Sequence, residues 1–125
     1  MKIYKVLICG DRYYRDGKLI RQHIRRLKRK AARLNAELVI IEGECTGADE
    51  LAREAAYLEN VHVAAVKALW NTRHRAAGQQ RNKVMALLEP DEILAFHDNI
   101  DSSTGTAGML KIAERRNIPF ELIEH

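Results

Sequence analysis

Five short runs of apolar residues punctuate the chain: YKVLICG (4–10), ELVIIEG (37–43), VHVAAVKA (61–68), EILAFH (92–97) and FELIE (120–124). Between them, apolar positions recur at helical spacing over about 17–34, 47–59, 77–89 and 106–117. In the first of these, Ile20, Ile24, Leu27, Ala31 and Leu34 step alternately by four and three, one face of an amphipathic helix. Strand and helix therefore alternate throughout, with no repeat and no low-complexity linker. Strands separated by helices are joined by right-handed crossovers, which makes the sheet parallel and covers both its faces. The first, second and fourth runs are nearly unbroken in apolar residues, as strands buried on both sides should be. Pro90 and Pro119 stand just ahead of the fourth and fifth strands, where a helix has ended and cannot resume. The pattern predicts an α/β fold, a five-stranded parallel sheet with helices on both faces.

Such sheets bind ligands at the carboxyl ends of their strands, beside the point where strand order reverses. The loops at that rim should be GDRYYRD (10–16), EGECTGAD (42–49), LWNTRHRAAGQQRN (69–82) and HDNIDSSTGT (97–106). The connections at the opposite rim, NAE (35–37), NV (60–61), EPD (89–91) and NIP (117–119), are terse by contrast. One rim merely connects. The other carries the candidate chemistry.

In the fourth of these loops Ser102, Ser103, Thr104, Gly105 and Thr106 precede a helix. Hydroxyls and bare backbone N–H groups at a helix N-terminus suit an anion, typically a phosphate, although Ser/Thr capping would also explain them. In the first loop Gly10 allows close backbone approach and Arg12 is either a ligand contact or a surface ion pair. Tyr13 and Tyr14 either stack on a base or cover the sheet end, and Asp16 is placed to cap the basic helix. In the second loop, Thr46 and Asp49 have the spacing of a capping box. The functional alternative has the Gly43–Gly47 turn offering N–H groups to a phosphate while Glu44 or Asp49 contacts a sugar hydroxyl. The third loop gathers Trp70, Arg73, His74, Arg75 and Arg81 around Gly78, an array that could close over an anion with guanidinium forks. Arg81 is expected to be exposed on the rim, and Trp70 to pack. His74 is not read as a general base, because the flanking arginines oppose its protonation.

Length and composition narrow the class. A chain of 125 residues is expected to form a single domain, 1–125, burying roughly two-thirds of its unfolded surface. With 46% apolar and 30% charged residues it is an ordinary globular composition, and no apolar run approaches a membrane span. The N-terminal run turns polar too soon for a signal peptide, and Cys9 and Cys45 form neither a disulfide framework nor a zinc site. A cytoplasmic location is expected, with no metal, no cofactor and no membrane partner. The net charge of +4 is local: residues 17–34 hold eight Lys or Arg and no acid, leaving 13 basic against 17 acidic residues elsewhere. The bland reading is a solvated helix face. Nucleic-acid contact is the rival, though the aromatics of a single-strand platform are absent.

The rim motifs, taken in order, resemble the YspA-like branch of the SLOG superfamily, relatives of the Lonely-guy proteins and of the DprA Rossmann-like domain. The matching pieces are GDRYYRD, EGECTGADELA, LWNTRHRAAGQQRNKVM and AFHDNIDSSTGTAGM. The resemblance implies a Rossmann-like fold and a nucleotide or nucleotide-derived ligand. It marks Gly10, Arg12, Gly43, Gly47, Asp49, Arg81, Asn82, Gly105 and Thr106 as binding positions, beside Thr46, Ser103 and Thr104 from the loops themselves. Lonely-guy phosphoribohydrolases need acids just after the Gly-Thr pair, where this chain has Ala107, Gly108 and Met109. Without a carboxylate there, an N-glycosidase would have to use Glu44 or Asp49 as its catalytic acid. The expectation is a sensor or binding module for a nucleotide-like small molecule. A phosphoribohydrolase-like enzyme is the first alternative, and a nucleic-acid-associated protein working through helix 17–34 the second. Homo-oligomerisation is allowed.

Overall fold

The computed structural model describes residues 2–73 and 76–125, apart from the side chains of Thr72 and Arg73. Strands β1 (Lys2–Gly10), β2 (Ala36–Glu42), β3 (His62–Ala65), β4 (Glu92–Phe96) and β5 (Phe120–Ile123) form one parallel sheet in the order β3-β2-β1-β4-β5. The helices are α1 (Gly17–Arg33), α2 (Ala48–Leu58), α3 (Trp70–Arg73), α4 (Ala77–Leu87) and α5 (Gly105–Arg116), and a 3-10 turn spans Ile100–Ser102. The chain builds outward from β1 to β3, then returns to lay β4 on the other side of β1. That reversal puts the crevice between β1 and β4.

Alternation along the central strands divides the core into two layers. Val6, Ile8, Leu38, Ile40, Leu94 and Phe96 face α1 and α2, whereas Leu7, Cys9, Ile41, Ile93 and Ala95 face α4 and α5. The apolar stripe of α1 buries Ile20, Ile24 and Leu27 completely, each contributing about 1.5–3 kcal/mol by removal from water. Asp16 caps that helix as its position implied, its Oδ1 accepting the Leu19 N–H at 3.0 Å. The terse connections work through left-handed residues: Asn35, Asn60, Glu89 and Asn117 all have φ near +56°, a conformation asparagine tolerates better than most side chains.

One expectation about the elements needs correction. The third run was expected to be strand over 61–68, but β3 stops at Ala65. Its one partner, β2, ends at Glu42, and the Val66 N–H to Glu42 carbonyl bond (2.8 Å) is the last rung. The third rim loop also contains the short helix α3, ahead of the helix expected from 77.

Candidate functional site

The rim loops enclose a cleft of about 560 Å3 at the β1/β4 reversal. Its walls come from the ends of β1 and β4, the loops that follow them, Cys45 and Asp49 around the start of α2, one face of α4 and the start of α5. Of the residues marked in the sequence, Gly10, Arg12, Asp49, Arg81, Asn82, Ser103, Thr104, Gly105 and Thr106 line it. Gly43, Glu44, Thr46 and Gly47 do not.

Two of the four, Gly43 and Gly47, have structural roles. A Cβ at Gly43 would lie 2.8 Å from Arg81 Nε, so the glycine lets that side chain pass. Gly47 (φ +77°) packs where a Cβ would meet the Asp11 carbonyl at 2.2 Å, and it holds α2 against the β1–α1 loop. Glu44 borders a shallower groove with Gly43, Lys67, Ala68, Leu69, Trp70 and Asn71, outside the cleft. Thr46 makes no capping bond, because α2 is preceded by Gly47 and has no side-chain cap. The capping box is therefore not formed, and its acid does something else.

Asp49 is 5% exposed. Its Oδ2 accepts the backbone N–H groups of Gly43 (2.9 Å) and Cys45 (3.3 Å), tying down the second rim loop. Its Oδ1 has no partner among the described residues and is not sealed from solvent. Burial pushes the carboxyl up to about 6, against the two N–H groups and the Arg81 charge, with Glu42 adding to the rise. Glu42, fully buried, accepts from Glu44 N–H (2.6 Å) and Arg53 Nη1 (3.1 Å) through one oxygen while the other is sealed without a partner. Burial raises this carboxyl too.

Arg81 departs from its expected exposure. It is half-buried, with Nη1 donating to the Gly43 carbonyl (3.3 Å) and to Cys45 Sγ (2.9 Å), and with Nε sealed and unpaired. Asn82, 2% exposed, donates from Nδ2 to the Gly105 carbonyl at 3.1 Å and so fixes the start of α5 from α4. The hydroxyl of Ser103 accepts the Thr106 N–H at 3.0 Å, which is the capping role. The N–H groups of Thr104, Gly105 and Ala107 have no partner among the described residues. At Gly105 a Cβ would meet nothing within 4 Å. Open N–H groups at the head of a helix of 12 residues are groups that can hold an anion.

The aromatic pair divides its labour. Tyr14, 6% exposed, covers the sheet end against Phe96 (ring centroids 5.5 Å apart), whereas Tyr13 stands 77% exposed at the cleft. Arg12 lines the cleft and forms no ion pair among the described residues. Trp70 stays largely exposed, its ring edge over Gly78. His74 and Arg75 lie outside the described residues, as does the side chain of Arg73. Sequence reasoning did not single out His97 and Asn99, which also line the cleft. A polar residue ending the apolar run of a central strand was the available signal.

The sequence profile of the YspA, cpYpsA-related SLOG family (YAcAr) matches residues 4–74. The chain belongs to this family. The match holds the first two rim loops and opens the third. Among solved structures, DNA processing protein A (DprA) from Streptococcus pneumoniae is similar to this SLOG chain with a TM-score of 0.78 and 17% identity. The likeness covers 98% of the SLOG chain and 51% of that protein, so it is one of fold, over about half of the other's length. No curated protein sequence matches the SLOG chain. Among the described residues no helix is long and apolar enough to cross a membrane.

Proposed function

We propose that this SLOG chain is a binding or sensing module for a nucleoside 5′-phosphate or a related nucleotide-derived ligand, held in the β1/β4 cleft. The observation that carries the reading is the pair of unpaired N–H groups of Thr104 and Gly105, both residues of the cleft lining. Asp49, with one oxygen free of hydrogen bonds, and Arg81 line the same cleft. The phosphate sits at the head of α5, a ribose hydroxyl donates to Asp49 Oδ1, and the exposed Tyr13 offers a face to the base. The cleft volume lies in the range of small-ligand sites.

Thermal unfolding with and without nucleoside monophosphates tests this. A ligand at 100 times its dissociation constant stabilises by about 2.7 kcal/mol. Gly105→Ala isolates the seat: open space surrounds its Cβ position, so the unliganded protein keeps its stability or gains up to about 1 kcal/mol. The added methyl faces the anion, and the ligand-induced shift is lost. A full ligand shift in Gly105→Ala, or no shift in the parent protein with any common nucleotide, overturns the reading.

One observation favours a second reading, hydrolysis of an N-glycosidic bond. Asp49, a lining residue whose carboxyl burial pushes up to about 6, has the properties of a general acid–base. Release of free base that Asp49→Asn abolishes would establish it. The binding reading expects no release over hours.

A further inference from the structure

His97 follows Phe96, the last residue of β4, and so stands where the strand order reverses. Its side chain lines the cleft although the residue is only 6% exposed. The backbone N–H of Asn99 donates to His97 Nδ1 at 3.0 Å. A nitrogen that accepts from an N–H cannot carry a proton itself, so the neutral imidazole bears its hydrogen on Nε2. That Nε2 has no partner among the described residues. Unlike Glu42 Oε2 and Arg81 Nε, it is not sealed from solvent. A nearly buried ring thus keeps one donor in hand, its tautomer set by its own loop. An unpaired donor in such a place is stabilised by an acceptor arriving with a ligand.

We propose that His97 is a phosphoryl-binding residue of this cleft, donating from Nε2 to an oxygen of the ligand's phosphate. The assignment rests on the nucleotide reading above and adds to it a side-chain donor that the Gly-Thr loop motif does not contain. It also explains why the 97–99 turn folds back on the imidazole, since Asn99 selects the tautomer that leaves Nε2–H available. A phosphate is the acceptor of choice because Thr104 and Gly105, whose N–H groups are open, line the same cleft. Donors converging from a strand end and a helix head suit an oxyanion with several acceptors.

Two substitutions separate the roles of the two ring nitrogens. His97→Asn keeps an acceptor near the Nδ1 position for Asn99 but has no donor at Nε2. His97→Gln places an amide N–H near Nε2. Calorimetric titration with AMP should show roughly 10- to 30-fold weaker binding in His97→Asn, the loss of one hydrogen bond to a charged acceptor. His97→Gln should stay within about threefold of the parent. Unchanged AMP affinity in His97→Asn overturns the assignment. Nitrogen–proton NMR of the imidazole in the unsubstituted protein keeps the test independent of how the variants fold. The expected result is an Nε2–H tautomer whose Hε2 resonance moves on adding inorganic phosphate. An Nδ1–H tautomer overturns the proposal, and so does an Hε2 resonance moved by adenosine but not by phosphate. An Hε2 response to inorganic phosphate in a protein that binds no nucleoside monophosphate would keep His97 as an anion ligand and discard the nucleotide reading.

Discussion

The two oxygens of Asp49 have different surroundings, and the difference sets what the residue can do. Oδ2 is occupied by Gly43 and Cys45 N–H, while Oδ1 has no partner among the described residues and is not sealed from solvent. The folded pKa, about 6, lies above the ordinary value of 3.8, so folding favours the protonated form. The associated stability is fully present below about pH 3.8 and is lost as pH rises through about 6, on the order of 2–3 kcal/mol. Asp49→Asn keeps an acceptor for the two N–H groups and removes the titration. Stability in denaturant melts from pH 4 to 8 should therefore fall more steeply in the parent than in the variant, which keeps the Glu42 and His125 contributions, with the variant equal or more stable at pH 8. Identical slopes would place the Asp49 pKa near its ordinary value. Glu44 makes a complementary case. Its left-handed φ of +55° strains a side chain that touches no cleft atom, so Glu44→Gly should stabilise by about 0.5–1 kcal/mol without altering nucleotide affinity. At this scale the sequence was legible in part. Spacing alone coupled Asp49 to Thr46, but which N–H an acid reaches depends on where the helix starts, and Gly47 moved that start. Arg81 looked exposed because nothing local announces that Gly43 clears a channel for it.

Secondary structure was the most legible level, because periods of two and 3.6 are written directly in the apolar positions. Helix ends fall within about two residues of the expected ones, and the asparagine turns after α1, α2 and α5 are punctuation that the chain states openly. What stayed hidden depended on partners: β3 ends because β2 does, and α3 is too short to show a period. The basic helix α1 shows the same dependence. Arg21 and Arg25 both pair with Glu59 at the end of α2 (2.6 and 3.0 Å), Lys28 donates to the Glu59 carbonyl (2.6 Å), and Lys30 pairs with Glu92 (2.7 Å). The face is solvated, with Arg25, Lys28 and Arg29 all exposed, and its cations also reach across to Glu59 after α2 and to Glu92 in β4. Replacing Arg21 and Arg25 together by Gln should lower the melting temperature at low salt, with the deficit shrinking as salt is raised. Nucleotide affinity should remain within about threefold, because no residue of α1 lines the cleft. A tenfold loss would mean that the helix influences the ligand site.

At the scale of the whole molecule, the contrast between rich and terse loops located the functional rim, but strand order was not readable. Alternation fixes that strands are parallel; which strand lies beside which follows from how the two helical layers pack. Order matters here because it brings β1 and β4 together, and with them the loops that carry Asp16 and Asp98. His125 spans the two loops. Its Nδ1 lies 2.8 Å from Asp98 Oδ2, its Nε2 2.9 Å from Asp16 Oδ2, and its ring stacks on Tyr14 with centroids 5.3 Å apart. Donating to Asp98 and Asp16 raises the imidazole above its ordinary 6.5; the Leu19 N–H and then His125 hold Asp16 below 3.8, and His125 does the same for Asp98. The signs are opposite for the two kinds of group. The imidazole contributes stability below pH 6.5 that is lost as pH rises through its raised folded value. The carboxylates contribute above pH 3.8, and their share is lost as pH falls through their lowered values. The charged clamp is thus complete between about pH 4 and 6.5. Comparing the parent with His125→Ala should give a melting-temperature difference that is widest in this window and narrows toward pH 8.5, and more so at high salt. A difference of equal size at pH 5 and pH 8.5 would assign the contribution to stacking on Tyr14 rather than to charge.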